Sequence, residues 1–149
     1  MFSPHADITE CSSDGLIQMK ENSSFGTECF SSFRPFHRDS TFHWQIQPWR
    51  DNPTLDLVCT NRRRCTSHPE VRADMFGPDF SLLRIANVER SMFSSSTLTC
   101  NITSPNEPDW FANASCLIDV TCEYIISVEE KKKINMVELM LYCRKCHIF

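Results

Sequence analysis

Cysteine is the residue type that most shapes the chemistry open to this chain. Nine of its 149 residues are cysteines, and they are spread along the sequence instead of being gathered into two close pairs. They are Cys11, Cys29, Cys59, Cys65, Cys100, Cys116, Cys122, Cys143 and Cys146. Cysteines dispersed through a small domain indicate disulfide bonds and an oxidising compartment. The odd number leaves one thiol over, which favours a chain that is part of a larger protein.

The last two cysteines also belong to a short motif. Cys143-Arg144-Lys145-Cys146-His147 has the C-x-x-C-H spacing of c-type haem attachment. The same side chains could supply three zinc ligands, although a structural site needs four, or the two cysteines could act as a redox pair. A disulfide-bonded or unstructured tail is the simpler interpretation. We therefore predict no cofactor and no metal, and keep a small metal or redox protein as an alternative.

Three N-x-[ST] sequences are candidate glycosylation sites and point to the same compartment. Their acceptors are Asn22, Asn101 and Asn113, and none of the three has proline in the middle position. Residues 1–7 have neither the basic nor the apolar region of a signal peptide. We expect an extracellular or secreted protein whose signal peptide and further domains lie outside this chain.

Several classes of function are disfavoured by the sequence. It contains no HExxH, G-x-S-x-G, GxGxxG or Walker motif, so we do not expect an enzyme. Fifteen lysines and arginines against nineteen acidic residues give a net charge of -4, which argues against a nucleic-acid partner. No apolar run is long enough to predict a membrane span.

The elements that would position these residues are mostly strands. With 41% apolar and 23% charged residues, the chain has the composition of one globular domain. Short apolar runs between Ser, Asn, Pro and Asp clusters predict an all-β fold. The predicted strands cover 16–19, 25–30, 42–47, 55–59, 80–85, 96–102 and 116–122. Helical spacing over 128–142 predicts a short helix in a C-terminal tail, 125–149.

Two features place the strands in a known architecture. Cys29, Trp44 and Cys100 follow one another in the order Cys…Trp…Cys. The run Leu83-Arg84-Ile85-Ala86-Asn87-Val88 then has the L-x-I-x-x-V pattern ahead of the second cysteine. Over about residues 14–124 the chain resembles the immunoglobulin superfamily, with 1–13 as an N-terminal segment. The resemblance implies an immunoglobulin-like antiparallel β-sandwich, a Cys29–Cys100 disulfide, and a core that includes Trp44, Leu83, Ile85 and Leu98.

Further disulfides are predicted on two grounds, the length of the loop that is closed and the resemblance. Cys59 and Cys65 enclose only five residues, so a local disulfide between them is easy to close. In sandwiches of this family the first and last strands lie side by side. The resemblance therefore implies that Cys11 pairs with Cys116 or Cys122.

One departure from the family narrows the resemblance. The stretch from Ser94 to Cys100 lacks the D-x-G-x-Y-x-C pattern that supplies the family's tyrosine corner. This speaks against a variable-type antigen receptor, and the chain looks more like a divergent invertebrate extracellular module. The family then implies binding of a protein or a glycan, as in innate immunity, and not catalysis.

Two loop segments are candidate ligand contacts. Arg62, Arg63 and Arg64 could bind an acidic ligand, although a solvated loop tip is the simpler interpretation. Trp110 precedes the last strand, where such sandwiches often present ligand contacts, but it could equally pack on the sandwich end. A structural spacer in a longer ectodomain is the other alternative function.

Overall fold

A computed structural model describes residues 6–31, 40–48, 53–60, 65–66, 68–76, 80–104 and 111–121 of the chain. Nearly all regular structure within these ranges is strand. The elements are β1 (Ala6–Ile8), β2 (Leu16–Lys20), β3 (Phe25–Ser31), β4 (Thr41–Gln47), β5 (Leu55–Thr60), β6 (Val71–Phe76), β7 (Phe80–Ile85), α1 (Arg90–Phe93), β8 (Thr97–Thr103) and β9 (Phe111–Thr121). No helix among the described residues is long and apolar enough to span a membrane.

The strands form two sheets. One has the order β1-β3-β7-β6, and the other has the order β2-β9-β8-β4-β5. This strand order is similar to that of an immunoglobulin-like sandwich. The expected all-β sandwich is confirmed. One pairing departs from a fully antiparallel sandwich, because β2 runs parallel to β9. The first two strands belong to different sheets. Strand β1 pairs with β3 in the four-stranded sheet, and β2 pairs with β9 in the five-stranded sheet.

Alternation of buried and exposed residues builds the core between the sheets. On β4, Phe42, Trp44 and Ile46 are buried, while the residues between them face outward. Leu83, Ile85 and Leu98 are also buried, in agreement with their sequence-based placement in the core. A period-2 pattern requires this arrangement when one face of each sheet is covered by the other.

The structure differs from the sequence-based boundaries at several points. Strand β1 lies inside the segment 1–13, so the sandwich starts before the predicted residue 14. Strand β6 was not predicted, and β9 begins at Phe111 instead of residue 116. The predicted tail helix and Cys122 lie outside the described residues.

In the described part of the chain, three disulfides connect the elements. Cys29–Cys100 joins β3 to β8 across the two sheets, with a Cα–Cα distance of 6.5 Å. Trp44 on β4 lies directly opposite Cys100 on β8. Cys11–Cys116 ties the segment between β1 and β2 to β9. The third joins Cys59 to Cys65.

A buried hydrogen bond also links the sheets. The indole Nε1 of Trp44 on β4 donates to the hydroxyl of Ser81 on β7, at 2.9 Å. That hydroxyl donates in turn to the main-chain oxygen of Asp74, also at 2.9 Å. Both side chains are almost completely buried. A tryptophan in a core needs a partner for its N–H, and Ser81 supplies it.

The helical turn α1 closes the sandwich where the family's tyrosine corner is missing. Phe93, its last residue, is fully buried and packs into the core. The hydroxyl of Ser96, just before β8, donates to the main-chain oxygen of Met92, at 3.3 Å. Ser95 adopts a positive φ of 61° between the turn and β8. A buried aromatic side chain on the turn therefore fills this end of the core.

Candidate functional site

The candidate functional site is one end of the five-stranded sheet. Thr60, Thr41, Thr103 and Phe111 are successive neighbours across β5, β4, β8 and β9, and they form one transverse row. We call this row the loop-bearing end, because segments 61–64, 32–39 and 105–110 connect to the strands next to it. The predicted ligand residues Arg62, Arg63, Arg64 and Trp110 belong to these segments and lie outside the described residues.

Phe111 gives the loop-bearing end an apolar contact point. It is 64% exposed, against 46% for Leu117 near the other end of the same strand face. Aromatic side chains are enriched in protein interfaces, where they contribute much of the contact energy. Phe111 also follows Trp110 directly in sequence. An exposed phenylalanine on a strand that leads out of a candidate loop is suited to contact a partner.

Segment 61–64, which contains the three arginines, is anchored on both sides by described residues. Cys59 and Cys65 are bonded with a Cα–Cα distance of 4.1 Å. Beside the bond, the Thr66 main-chain N–H donates to the Val58 carbonyl at 3.0 Å, and Val58 N–H donates to the Thr66 hydroxyl at 2.8 Å. These links fix where segment 61–64 leaves and rejoins β5. A binding loop with fixed ends loses less conformational entropy when a ligand orders it.

The next row of the outer face contains two of the three glycosylation acceptors. Asn101 on β8 and Asn113 on β9 are direct neighbours, and the Asn113 amide donates to the Asn101 side-chain oxygen. The third acceptor, Asn22, is exposed in the turn between β2 and β3, with a φ of 60°. All three acceptors lie on the outside of the sandwich.

Apart from the exposed Leu16 and Leu117, the remainder of this outer face is mainly polar and carries little net charge. His43 Nε2 lies 2.9 Å from a carboxylate oxygen of Asp56, and the Gln45 amide donates to the same oxygen at 3.2 Å. The hydroxyls of Thr99 and Ser115 are 3.1 Å apart. These cross-strand contacts hold the outward side chains in place, which gives the face a fixed pattern of hydrogen-bonding groups.

The outer face of the four-stranded sheet has a different character. Phe76 and Phe80 stack with ring centroids 5.5 Å apart, and Phe30 follows them in the same row. Two rows away, Arg72 and Arg84 are direct neighbours on β6 and β7. This sheet therefore presents aromatic and arginine side chains, whereas the five-stranded sheet presents mainly hydroxyl and amide groups.

The metal alternative is not supported by the described part of the chain. Within it, no group of three or more His, Cys, Asp or Glu side chains is arranged to hold a metal ion. The C-x-x-C-H sequence at 143–147 lies outside that part. Metal or redox chemistry at the C-terminus therefore stays a prediction from sequence.

Comparison with known proteins identifies the fold but no family. No protein-family model matches the chain. No curated protein matches it either. A solved chain with a TM-score of 0.58 and 12% identity covers 80% of this chain and 100% of its own length. It comes from the structure on T cell specificity and activation by the bacterial superantigen toxic shock syndrome toxin-1. Since 1137 solved chains match, the similarity indicates a widespread fold.

Sequence reasoning missed two features of the site. The predicted last strand, 116–122, leaves out Phe111, but Phe111 is the first residue of β9 and an exposed part of the sheet. The Asn101–Asn113 pairing was missed because it requires β9 to extend back to residue 111. The signal was available: Phe111, Asn113 and Ser115 continue the alternation of Leu117 and Asp119 on the same face.

Proposed function

We propose that this chain is an extracellular recognition module of the immunoglobulin superfamily, which binds a protein or glycan through the loop-bearing end. The observation that carries the proposal is the single row formed by Thr60, Thr41, Thr103 and Phe111. It brings the attachment points of three loop segments together, next to an exposed aromatic side chain. Clustered loops on a rigid sandwich are how such folds present variable contacts.

The proposed location rests on covalent chemistry. Three disulfides, two of which connect distant parts of the chain, suit an oxidising environment. The acceptors Asn22, Asn101 and Asn113 lie on the outside, as glycosylation in a secretory pathway requires. We therefore place the module in a secreted or cell-surface protein. Its resemblance to divergent invertebrate modules extends the proposal to recognition in innate immunity.

The test compares two exposed side chains on one strand. The chain, secreted from eukaryotic cells, is screened on immobilised panels of glycans and purified extracellular proteins. The Phe111→Ala variant should weaken binding to any ligand found by about tenfold or more, as expected for an aromatic interface residue. Leu117→Ala is the matched control, because Leu117 lies on the same face about 20 Å further along β9.

A second variant tests the loops directly. Replacing Arg62, Arg63 and Arg64 together by alanine should weaken binding of an acidic ligand and leave the unfolding midpoint unchanged. Binding that responds to neither variant would contradict the proposal. A chain that binds nothing on either panel would support a spacer instead.

A further inference from the structure

A cleft on the four-stranded sheet has no role in the function proposed above. Its volume is about 370 Å³, and its lining includes Ser24, Gly26, Glu70, Arg72 and Arg84. Gly26 is near the start of β3, and segment 32–39 follows the end of that strand. The cleft therefore lies at the opposite end of β3 from the loop-bearing end. A ligand bound here would lie away from the row of Thr60, Thr41, Thr103 and Phe111.

Two neighbouring arginines give the cleft its charge. Arg72 and Arg84 are direct neighbours across β6 and β7, and both are exposed. Like charges at directly opposed positions of a sheet repel each other. Among the described residues, neither arginine forms an ion pair with a protein carboxylate. An anion bound between the two guanidinium groups would relieve this repulsion.

Among the described residues, Glu70, Asp74 and Glu28 are the carboxylates in or beside the row of the two arginines, and their positions differ. Glu70 lines the cleft together with the two arginines, so the cleft itself has one net positive charge. Asp74 and Glu28 occupy the next row of the sheet, on either side of Leu82, and do not line the cleft. The positive charge therefore faces the cleft, and the negative charge of the next row lies outside it.

Gly26 keeps the cleft open. It completes the row of Arg72 and Arg84, and it has no side chain to cover the space beside them. A Cβ built at Gly26 would meet the Leu83 carbonyl at 3.8 Å, which is an ordinary contact. A larger residue would therefore fit the backbone here. Glycine inside a strand weakens the strand and often marks a place where a ligand approaches closely.

We propose that this cleft binds a carboxylated sugar unit, such as a sialic or uronic acid residue of a glycan. Guanidinium groups bind carboxylates through paired hydrogen bonds. The Glu70 carboxylate and the Ser24 hydroxyl can bond the sugar hydroxyls, and Phe25 adds apolar lining. The volume is within the range of small-ligand sites. Glu70 disfavours polysulfated chains, because each further anionic group would meet its negative charge.

The experiment titrates the secreted chain with the methyl glycosides of sialic acid and glucuronic acid and follows binding by NMR or calorimetry. The methyl esters of both sugars serve as neutral controls, and we expect them to bind at least tenfold more weakly. Arg72→Ala and Arg84→Ala should each weaken binding of the acids about tenfold or more. Leu117→Ala, on the five-stranded sheet, should leave this binding unchanged.

A cleft-filling variant separates shape from charge. Gly26→Val keeps both arginines, suits a strand, and should weaken binding about tenfold with no loss in unfolding midpoint. Equal binding of acids and esters, or full binding by Gly26→Val, would overturn the proposal. A sulfated monosaccharide or a peptide carboxylate that binds as tightly as the acidic sugars would overturn the assignment of the ligand. None of these results bears on the loop-bearing end, whose ligands are tested separately.

Discussion

The hydroxyl of Ser81 is the only polar side-chain partner of the Trp44 indole among the described residues, and it links two facing sheets. We expect Ser81→Ala to lower the free energy of unfolding by about 1–3 kcal/mol, because it leaves the buried indole N–H unsatisfied. Urea denaturation followed by tryptophan fluorescence measures the change. Thr99→Ala, which removes the outward hydroxyl that faces Ser115, is the control and should have little effect.

A double-mutant cycle shows whether the hydrogen bond itself is responsible. Trp44→Phe removes the donor, so adding Ser81→Ala to it should cost less than Ser81→Ala alone. A coupling energy of at least about 0.5 kcal/mol is expected for groups in direct contact. Additive effects of the two substitutions would contradict the role of this bond.

Two glycines should respond in opposite ways to alanine. Gly15 has a φ of +76° in the turn before β2, a conformation that costs residues with a Cβ roughly 1 kcal/mol or more. Gly26 has an extended backbone and room for a Cβ. We expect Gly15→Ala to lower the unfolding midpoint and Gly26→Ala to hold or raise it. The reverse order, measured by thermal denaturation of the two variants side by side, would contradict the structure.

At the scale of elements, sequence patterns located most strands but missed β1 and β6, the two edge strands of the four-stranded sheet. Strands β4 and β8 alternate clearly in hydrophobicity, so they could be predicted. Strand β1 has three residues, too few to show a period. Strand β6 includes Arg72 and Asp74 on its outer face, and aspartate is depleted in strands. Edge strands have one neighbour, and their sequences are less constrained by packing.

The site was predictable in part. The cysteine pairing inside the sandwich follows from the resemblance and from short loop closure, and the structure contains the bonds Cys29–Cys100 and Cys59–Cys65. It pairs Cys11 with Cys116, one of the two partners left open by sequence. The cleft of Arg72 and Arg84 was not predictable, because it depends on the register of two strands, one of which was unassigned.

The pairing of β8 with β9 predicts how glycans are distributed. Side chains of directly opposed residues are about 5 Å apart, which leaves little room for a sugar on both Asn101 and Asn113. We expect intact mass spectrometry of the secreted chain to show glycan on only one of these two in most molecules. Asn22, in its exposed turn, should be modified independently.

Variants that remove one acceptor sequence test this exclusion. Thr103→Ala abolishes the sequence at Asn101 and should raise occupancy at Asn113. Ser24→Ala abolishes the sequence at Asn22 and should leave Asn113 unchanged. A majority of molecules with all three sites occupied would contradict the expected exclusion.

At the scale of the whole molecule, the disulfides should differ in what they contribute to stability. Cys11–Cys116 spans 105 residues and Cys59–Cys65 spans 6. In the chain-entropy model these loops correspond to about 5 and about 2 kcal/mol. We expect the Cys11→Ala/Cys116→Ala variant to unfold at a clearly lower denaturant concentration than Cys59→Ala/Cys65→Ala. Equal midpoints would show that loop length does not govern stability here.

The Cys11–Cys116 bond also decides how the molecule would respond to mechanical load. Tension applied between residues before Cys11 and residues after Cys116 would pass through the sulfur–sulfur bond and bypass the strands enclosed by it. Cys29–Cys100 lies inside the shielded part. Reduction of the outer bond alone would extend such a pull only to residues 12–28 and 101–115, because Cys29–Cys100 would still bypass the strands between them. In a stretched multidomain protein, this unit would behave as an inextensible link until a reductant arrived.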